Sequence, residues 1–582
     1  MSLRLQQKAV MFSGIAYIAM VVLHIPDQIF PHGFDKNAPV QLLSLLTVAS
    51  FYLIYIALKS ERFRFHRLAI YGASALVLTQ LVSLLSSGNL IGSLIGDSGR
   101  FVGSLSAFAL LVVSIFHSQF KFEPFVQLVR FYIVAIGLVA AIGIAQHFDV
   151  VELPGAEGVS STLGNTDFFA AMLGTTFPLI FFVALNSSRK ARIALAFSAA
   201  INIFALYIAG PLQGYLDLAF MVVGLAIYLL RKYIPRREWT LNARTFLGTF
   251  AIIIWAEFIF LMPFLGDFVP VLGNDIQVKI RSNFWLAGTR QFFDHILFGV
   301  GPDQYGNNYE QYRTIEDIVK YTNILSNDAH SASVQTLATV GIFGTLAFLF
   351  LLALVVRSFF IIWDARIFDR KSLFALGLFF FIYLTNSFVS PITLTHKFIF
   401  WAVCGFIVGQ VYRLPSLRSE RKVSQKVLPL SVLALFVLLA TLFGQAQFNY
   451  LTHIEKYAAD NSIVQQYKAS PLLPCFMYFD AELLMAKNHG AEMALSLADE
   501  ELANHPRCVA AMIHKVEKLV NEGKVEELGP LVYRLYEIAP ARNQTLSLAM
   551  YYANRSGDTQ LRKVLERQMK ALGLVYIPGQ LG

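Results

Sequence analysis

The chain has 582 residues, of which 56% are apolar and only 15% are charged, and its mean hydropathy is +0.56. A soluble protein carries roughly a quarter charged residues, so this composition argues against a soluble globular fold. Runs of about 20 apolar residues recur, and each can span a bilayer. The composition predicts an all-α, polytopic membrane protein. No Cys/His spacing indicates a metal site, and no cofactor is predicted.

The apolar runs predict about thirteen transmembrane helices. Lys and Arg concentrate in alternate connections, such as "KSERFRFHR", "RKYIPRREWTLNAR" and "RLPSLRSERKVSQK". The positive-inside rule places these connections and the N-terminus in the cytoplasm. Residues 266–332 and everything after 444 then lie outside it. The net charge of +9 is therefore a topology signal and does not indicate nucleic-acid binding. The predicted spans are 9–25, 39–58, 68–86, 101–117, 127–146, 167–186, 193–209, 215–230, 246–265, 333–356, 373–390, 398–412 and 427–444.

The segment 445–582 has a different composition and forms a second predicted domain after the transmembrane domain 1–444. Glycines recur in it at spacings of 33 and 34 residues, and prolines at spacings of 35 and 34. A Gly ending one helix and a Pro ending the next predict a helix-turn-helix repeat that resembles tetratricopeptide (TPR) units. Such stacks usually bind a protein partner, although a stabilising role stays open. The repeating residues are Gly490, Gly523 and Gly557, with Pro471, Pro506 and Pro540.

Two of the three cysteines, Cys475 and Cys508, lie in this second domain. They could form a disulfide if the domain is extracytoplasmic. Two buried free thiols fit the sequence equally well, so both alternatives stay open at this point.

The connection 266–332 is long enough to be functional. Its first part, "VKIRSNFWLAGTRQFFDHILFG", predicts an amphipathic helix at the membrane interface, and "FGVGPDQYG" predicts a turn. The next part, "NNYEQYRTIEDIVKYTN", is rich in side chains that bind sugars and phosphates. The following span opens with "SNDAHSAS". Either Asn327 or Asp328 caps that helix, or His330 at its start moves a proton.

The order of these segments resembles the O-antigen ligase/polymerase superfamily, which includes O-antigen ligases, O-antigen polymerases and bacterial O-oligosaccharyltransferases. The resemblance covers roughly residues 90–412 and includes an Arg before a Trp, a "GVG" turn, and a His before "Q-x-L-A-x-x-G". The chain departs from the family at Ser331 and at Gln213, which stands where many members have an arginine. Arg100, in "GDSGR", could replace that arginine. The matching residues are Gly164, Asn165, Ala170, Arg281, Trp285, Gly299, Gly301, His330, Gln335, Leu337, Gly341 and Gly344.

The resemblance implies an inverting glycosyltransferase of the bacterial plasma membrane. Such an enzyme moves a glycan from a polyprenyl-diphosphate carrier to a hydroxyl of a glycan, lipid or protein acceptor outside the cytoplasm. His330 would take the acceptor proton, and Arg281 would bind the diphosphate through its planar fork. Asn165 could equally well cap its span, and Asp328 could orient the imidazole. The candidate substrate contacts are Arg100, Asn165, Gln213, Arg290, Tyr305, Tyr309, Arg313 and Asp328.

Two other classes of protein stay open. A transporter could use the intramembrane carboxyls of Asp217 and Glu257 as an ion path, but it would require matching broken helices in two halves, and the sequence shows no such pair. Hydrogen bonding inside the helix bundle is the simpler role for both residues. A membrane-anchored scaffold would leave the spans without any chemistry.

Overall fold

In the computed structural model of the protein, all secondary structure among the described residues is helical, and no strand occurs among them. The prediction of an all-α protein is therefore confirmed for this part of the chain. The described residues are 3–23, 38–58, 67–96, 99–153, 158–230, 239–265, 276–321, 324–412, 428–459, 472, 475 and 491–574.

The helices are numbered here in chain order. The first ten are α1 (Leu3–Val22), α2 (Ala38–Leu58), α3 (Arg67–Ser86), α4 (Leu90–Ile95), α5 (Ser104–His117), α6 (Phe122–His147), α7 (Thr166–Leu185), α8 (Arg189–Ala209), α9 (Leu212–Leu230) and α10 (Leu241–Leu261). The others are α11 (Ile276–Asp294), α12 (Tyr305–Tyr312), α13 (Ile315–Lys320), α14 (Ala332–Ala365), α15 (Arg370–Val389), α16 (Leu394–Val411), α17 (Leu428–Ala459), α18 (Ala491–Asn504), α19 (Val509–Asn521), α20 (Val525–Ile538), α21 (Asn543–Ser556) and α22 (Thr559–Ala571).

Ten of the described helices are long and apolar enough to cross a bilayer: α2, α3, α6 to α10, and α14 to α16. Ten of the predicted spans fall on them. The other three fall on α1, on the 14-residue helix α5, and on α17, whose shorter apolar stretch is Ala434–Asn449. The chain is thus a membrane protein by the length and composition of its helices, and a total of thirteen spans stays a prediction.

The chain divides into two compact units. The first contains residues 1–78, 105–259 and 346–444. Its core is a helix bundle in which α7 packs against α6, α8, α9 and α15, while α1 packs against α2 and α6. The side chains that fill this bundle are large and apolar, and they include the fully buried rings of Tyr17, Tyr132 and Phe169.

The two intramembrane carboxyls lie in different surroundings in this unit. Asp217 on α9 is 1% exposed and accepts a 2.8 Å hydrogen bond from the side-chain amide of Asn386 on α15. The predicted hydrogen bond inside the bundle is therefore confirmed for Asp217. The side chain of Glu257 is instead exposed on the surface of α10, so the same prediction is wrong for Glu257.

The second unit contains residues 79–104, 260–345 and 445–582. Its central feature is a break in α14 at Gly341, which has a φ of 64° and a ψ of −167°. A break leaves backbone groups without partners inside the helix. The preceding "GVG" turn supplies the missing hydrogen-bond donors. The N–H groups of Val300 and Gly301 donate to the carbonyls of Ala338 and Thr339 at 2.9 and 3.0 Å.

The same segment satisfies the other side of the break. The N–H of Ile342 donates to the carbonyl of Ile296 at 2.8 Å. Two backbones that approach this closely leave no room for a side chain between them. A Cβ added at Gly299 would lie within 2.5 Å of the Thr339 carbonyl oxygen, and one at Gly341 would lie 2.5 Å from the Leu297 carbonyl. The motif glycines therefore let the loop join the start of α14.

The C-terminal part of this unit is a stack of helices in which α18 to α22 each pack against the next. Its core contains the buried side chains of Met512, Leu528, Leu535 and Leu546. Gly523 and Gly557 follow α19 and α21 and have left-handed φ angles of 71° and 76°, as expected for glycines that end helices. Gly490 and Pro471 lie outside the described residues.

We expect Gly299→Ala to destabilise the protein by about 2 kcal/mol or more, because the added methyl overlaps backbone that cannot move away. Thermal unfolding of the protein in detergent measures the effect. The matched control is Gly210→Ala, since Gly210 also has a left-handed φ, of 86°, but has no atom within 4 Å of an added Cβ. Equal losses of stability in the two variants would contradict the close approach of the two backbones.

Candidate active site

His330 lies in a turn directly before α14 and adopts a left-handed backbone with a φ of 53°. This conformation is unfavourable for a residue with a Cβ, by roughly 1–2 kcal/mol, and such outliers cluster at functional sites. Local hydrogen bonds maintain it. The Asp328 carboxylate accepts the His330 N–H at 2.7 Å, and the Gln335 side chain accepts the Ala329 N–H at 2.8 Å. Asp328 thus closes a turn ahead of the helix.

The imidazole of His330 has a defined tautomer. Its Nδ1 atom lies 2.9 Å from the carbonyl oxygen of Asp328 and 3.3 Å from the Ser326 hydroxyl. A carbonyl can only accept, so Nδ1 carries the proton and Nε2 carries the lone pair. The expected orienting role of Asp328 is therefore performed by its backbone carbonyl, and its carboxylate holds the turn.

One face of α11 covers this turn. Residues at spacings of three and four lie on the same side of a helix, which groups Arg281 with Phe284 and Trp285. The indole Nε1 of Trp285 donates to the His330 carbonyl at 3.4 Å, and the ring of Phe284 lies 5.0 Å from the imidazole ring. The spacing of Arg281 and Trp285 in the sequence motif thus corresponds to one helix face turned toward His330.

Arg100 approaches the same histidine from the segment that follows α4. Asn89 caps that short helix by accepting the N–H of Gly92 at 3.1 Å, and its amide donates to Gln304 at 3.1 Å. Phe101, next to Arg100, is fully buried with a left-handed φ of 54°. The buried ring anchors the segment and leaves the Arg100 side chain half-buried.

The charges around His330 control its protonation. The pKa of the imidazole falls from 6.5 to about 4, mainly because the ring is buried and next because of the positive charge of Arg100. Asp328 opposes this decrease, and Arg281 adds a smaller contribution to it. Both arginines therefore lie close enough to His330 to act on it electrostatically. At pH 7 the imidazole is neutral, with its lone pair on Nε2.

Three of the predicted substrate contacts instead form the interior of the loop. Tyr305 is fully buried, and its hydroxyl donates to the Phe284 carbonyl at 2.8 Å. Tyr309 is 1% exposed and donates to Asp317 at 3.3 Å. The Nε of Arg313 contacts the same carboxylate at 2.6 Å, with both side chains 4% exposed. These residues support the loop from inside, because their polar groups are already used within the protein.

Arg290 lies on the exposed side of α11. Its Nη1 donates to the carbonyl of Tyr312 at 3.2 Å, and this bond ties α11 to the end of α12. The structure therefore gives Arg290 a contact within the loop.

Asn165 and Gln213 belong to the first unit. The Asn165 side chain caps α7 by accepting the N–H groups of Asp167 and Phe168 at 2.8 and 3.3 Å, so the capping alternative is confirmed. Gln213 donates to Asn386 at 2.9 Å, the same residue that donates to Asp217. Gln213 thus joins α9 to α15 and brings no positive charge, whereas Arg100 supplies one beside His330.

Cys475 and Cys508 form a disulfide with a Cα–Cα distance of 5.8 Å. This decides between the two alternatives that the sequence left open. Glu501 lies beside the two sulfur atoms, and these three residues are the one group among the described residues that could hold a metal ion. The disulfide already uses both sulfurs.

Sequence patterns did not single out Phe284 or Ser326. Phe284 contacts the imidazole, and its position three residues after Arg281 on a helix could have indicated this. Ser326 donates to the Asp328 carbonyl at 2.6 Å, which is typical of a Ser-Asn-Asp turn.

No family model matches this sequence, and no match was found among curated proteins.

The pKa of His330 predicts a pH dependence of stability. The folded pKa of about 4 lies below the unfolded value, so the unfolded chain binds the proton more readily between pH 6.5 and 4. Stability contributed by the neutral imidazole is therefore present near pH 7 and is lost as the pH falls through this window, by up to about 3 kcal/mol. His330→Gln should reduce the drop in melting temperature between pH 7.5 and pH 5. An unchanged drop would contradict the low pKa.

Proposed function

We propose that the protein is an inverting glycosyltransferase that moves a glycan from a polyprenyl-diphosphate carrier to an acceptor hydroxyl. The observation that carries this proposal is a neutral histidine with a free Nε2 lone pair and two arginines close enough to change its pKa. This reaction requires a group that removes the proton of the acceptor hydroxyl and a group that stabilises the leaving diphosphate. The sequence resemblance to the O-antigen ligase/polymerase superfamily supports the same chemistry.

In the proposed reaction, the acceptor oxygen forms a bond to the anomeric carbon of the donor sugar. The bond between that carbon and the diphosphate oxygen breaks, and polyprenyl diphosphate leaves with both electrons. Nε2 of His330 takes the proton of the acceptor hydroxyl and later releases it to water. Arg281 and Arg100 bind the diphosphate oxygens, where a planar guanidinium can donate two hydrogen bonds at once.

The donor itself would make His330 a stronger base. In the free protein the charges of Arg100 and Arg281 help to lower the pKa of the imidazole. A bound diphosphate compensates those charges, so the pKa rises toward the pH at which the reaction proceeds, where general-base catalysis is most effective. The base is therefore neutral before donor binding and becomes more basic once the leaving group is in place.

The proposed orientation places the His330 site outside the cytoplasm, in agreement with the distribution of Lys and Arg. The disulfide Cys475–Cys508 supports this orientation, because disulfides persist in oxidising compartments. We place the protein in a bacterial plasma membrane, where a lipid-linked donor and an aqueous acceptor can meet at the start of α14. The acceptor is a glycan, a lipid or a protein.

We expect His330→Gln to lower transfer roughly 100- to 10,000-fold, the usual contribution of a general base. Cells that lack their own ligase and polymerase provide the assay, with the lipid-linked glycan and its larger product followed on gels. The control is His295→Gln, since His295 is exposed on the same loop and should retain full activity. Equal product patterns for wild type and His330→Gln, at equal protein levels, would contradict the proposal.

Removing the fork of Arg281 should also impair transfer. We expect Arg281→Gln to lower kcat/KM for the lipid-linked donor roughly 100-fold, and Arg281→Lys to lose less because it keeps the charge. Lys320→Gln is the control, as it removes an exposed positive charge from the same loop. The rate at which purified protein in nanodiscs releases polyprenyl diphosphate, measured at several donor concentrations, gives kcat and KM. If Arg281→Gln and Lys320→Gln retain the same activity, Arg281 does not bind the diphosphate.

A further inference from the structure

The C-terminal helical stack contacts the loop helix α12 through two arginines. Arg542, directly before α21, binds Glu310 with both ends of its guanidinium, at 2.7 and 3.2 Å. Arg507, two residues before α19, donates to the Gln311 side chain at 3.0 Å and to the Asn307 carbonyl at 3.4 Å. The helix α20 packs against α12 as well. A surface of this domain that could bind another protein is thus occupied by a helix of the same chain.

The contacted residues lie on one face of α12, because Asn307, Glu310 and Gln311 are spaced three and four residues apart. The opposite face is buried in the loop. Tyr305 and Tyr309 lie on that face with 0% and 1% exposure. The helix therefore lies between the C-terminal stack and the interior of the loop.

The buried face of α12 connects to the His330 turn by two routes. The ring of Tyr309 packs edge-to-face on Phe284 at 5.6 Å, and Phe284 lies 5.0 Å from the imidazole. At Gly306 the helix approaches Asn327, three residues before His330, so closely that an added Cβ would lie 2.9 Å from its Cα. A shift of α12 would therefore move both the ring beside the imidazole and the backbone that leads to it.

We propose that Arg542 and Arg507 are positioning residues for the His330 site, and that the C-terminal domain acts on this chain's own loop. The bidentate pair of Arg542 with Glu310 is the central contact, because both side chains are largely buried, with 26% and 14% exposure. The pair fixes α12, and α12 fixes Phe284 and the turn that carries His330. This inference deepens the proposed function and depends on it for the effect on turnover, but the docking of α12 can be tested without any activity.

The test is a charge swap in the full-length protein in nanodiscs. The variants are Glu310→Arg, Arg542→Glu and the double variant Glu310→Arg/Arg542→Glu. Each single variant places two like charges together, which costs affinity between the surfaces, and the double variant restores an opposite pair. The matched control is Arg562→Glu, since Arg562 pairs with Glu566 at 3.3 Å in an exposed position on α22, away from the loop contacts described here.

Hydrogen exchange and turnover are measured on the same samples. We expect each single variant to raise exchange in residues 305–312 and 324–330 roughly tenfold and to lower kcat about tenfold, with the pH dependence of kcat shifted. The double variant should return both quantities to within about twofold of wild type, and Arg562→Glu should change neither. If a single charge reversal prevents folding, Arg542→Lys keeps the charge without the fork, and a smaller change in the same direction is expected.

Three outcomes would overturn the proposal. If both single variants exchange hydrogen in residues 305–312 and 324–330 at the same rate as wild type, the ion pair does not hold α12. Folded single variants that the double variant does not rescue would exclude the pair as the cause. Raised exchange with unchanged kcat and pH profile would show a purely structural contact. If wild type transfers no glycan at all, the proposed function fails, and the exchange result still decides whether the domain holds α12.

Discussion

The hydrogen bond from Nδ1 of His330 to the carbonyl of Asp328 is the interaction on which the proposed chemistry depends. At 2.9 Å it fixes which nitrogen carries the proton and leaves the lone pair of Nε2 for an incoming hydroxyl. It can form because the backbone at His330 is left-handed, a conformation stabilised by the Asp328 carboxylate and the Trp285 indole. The cost of this backbone is offset by contacts from two separate segments.

The turn that carries His330 leads into α14, a helix that is broken near its start and bound there by the loop. The break at Gly341 would leave the carbonyls of Ala338 and Thr339 without partners although both residues are buried, which is costly. The "GVG" turn donates to those carbonyls and thereby fixes the loop to the first turns of α14. The segments that carry Arg100, Arg281 and His330 belong, together with the C-terminal stack, to one compact unit.

Sequence patterns predicted what depends on local periodicity. The helices, the Gly positions of the C-terminal stack and the shared face of Arg281 and Trp285 all follow from spacing. Contacts between distant residues did not follow, such as Glu310 with Arg542, which are 232 positions apart. Residue type also left Tyr305 and Tyr309 ambiguous, because a tyrosine that stacks on a sugar and one that packs inside a loop have the same surroundings in sequence.

A structure of the protein in a lipid nanodisc with a polyprenyl-diphosphate-linked oligosaccharide bound would test directly where the diphosphate binds. We expect the diphosphate to contact the guanidinium groups of Arg281 and Arg100, and Nε2 of His330 to face an open position beside the anomeric carbon. A diphosphate bound elsewhere, with no contact to either arginine, would show that His330 and the two arginines do not form the transfer site.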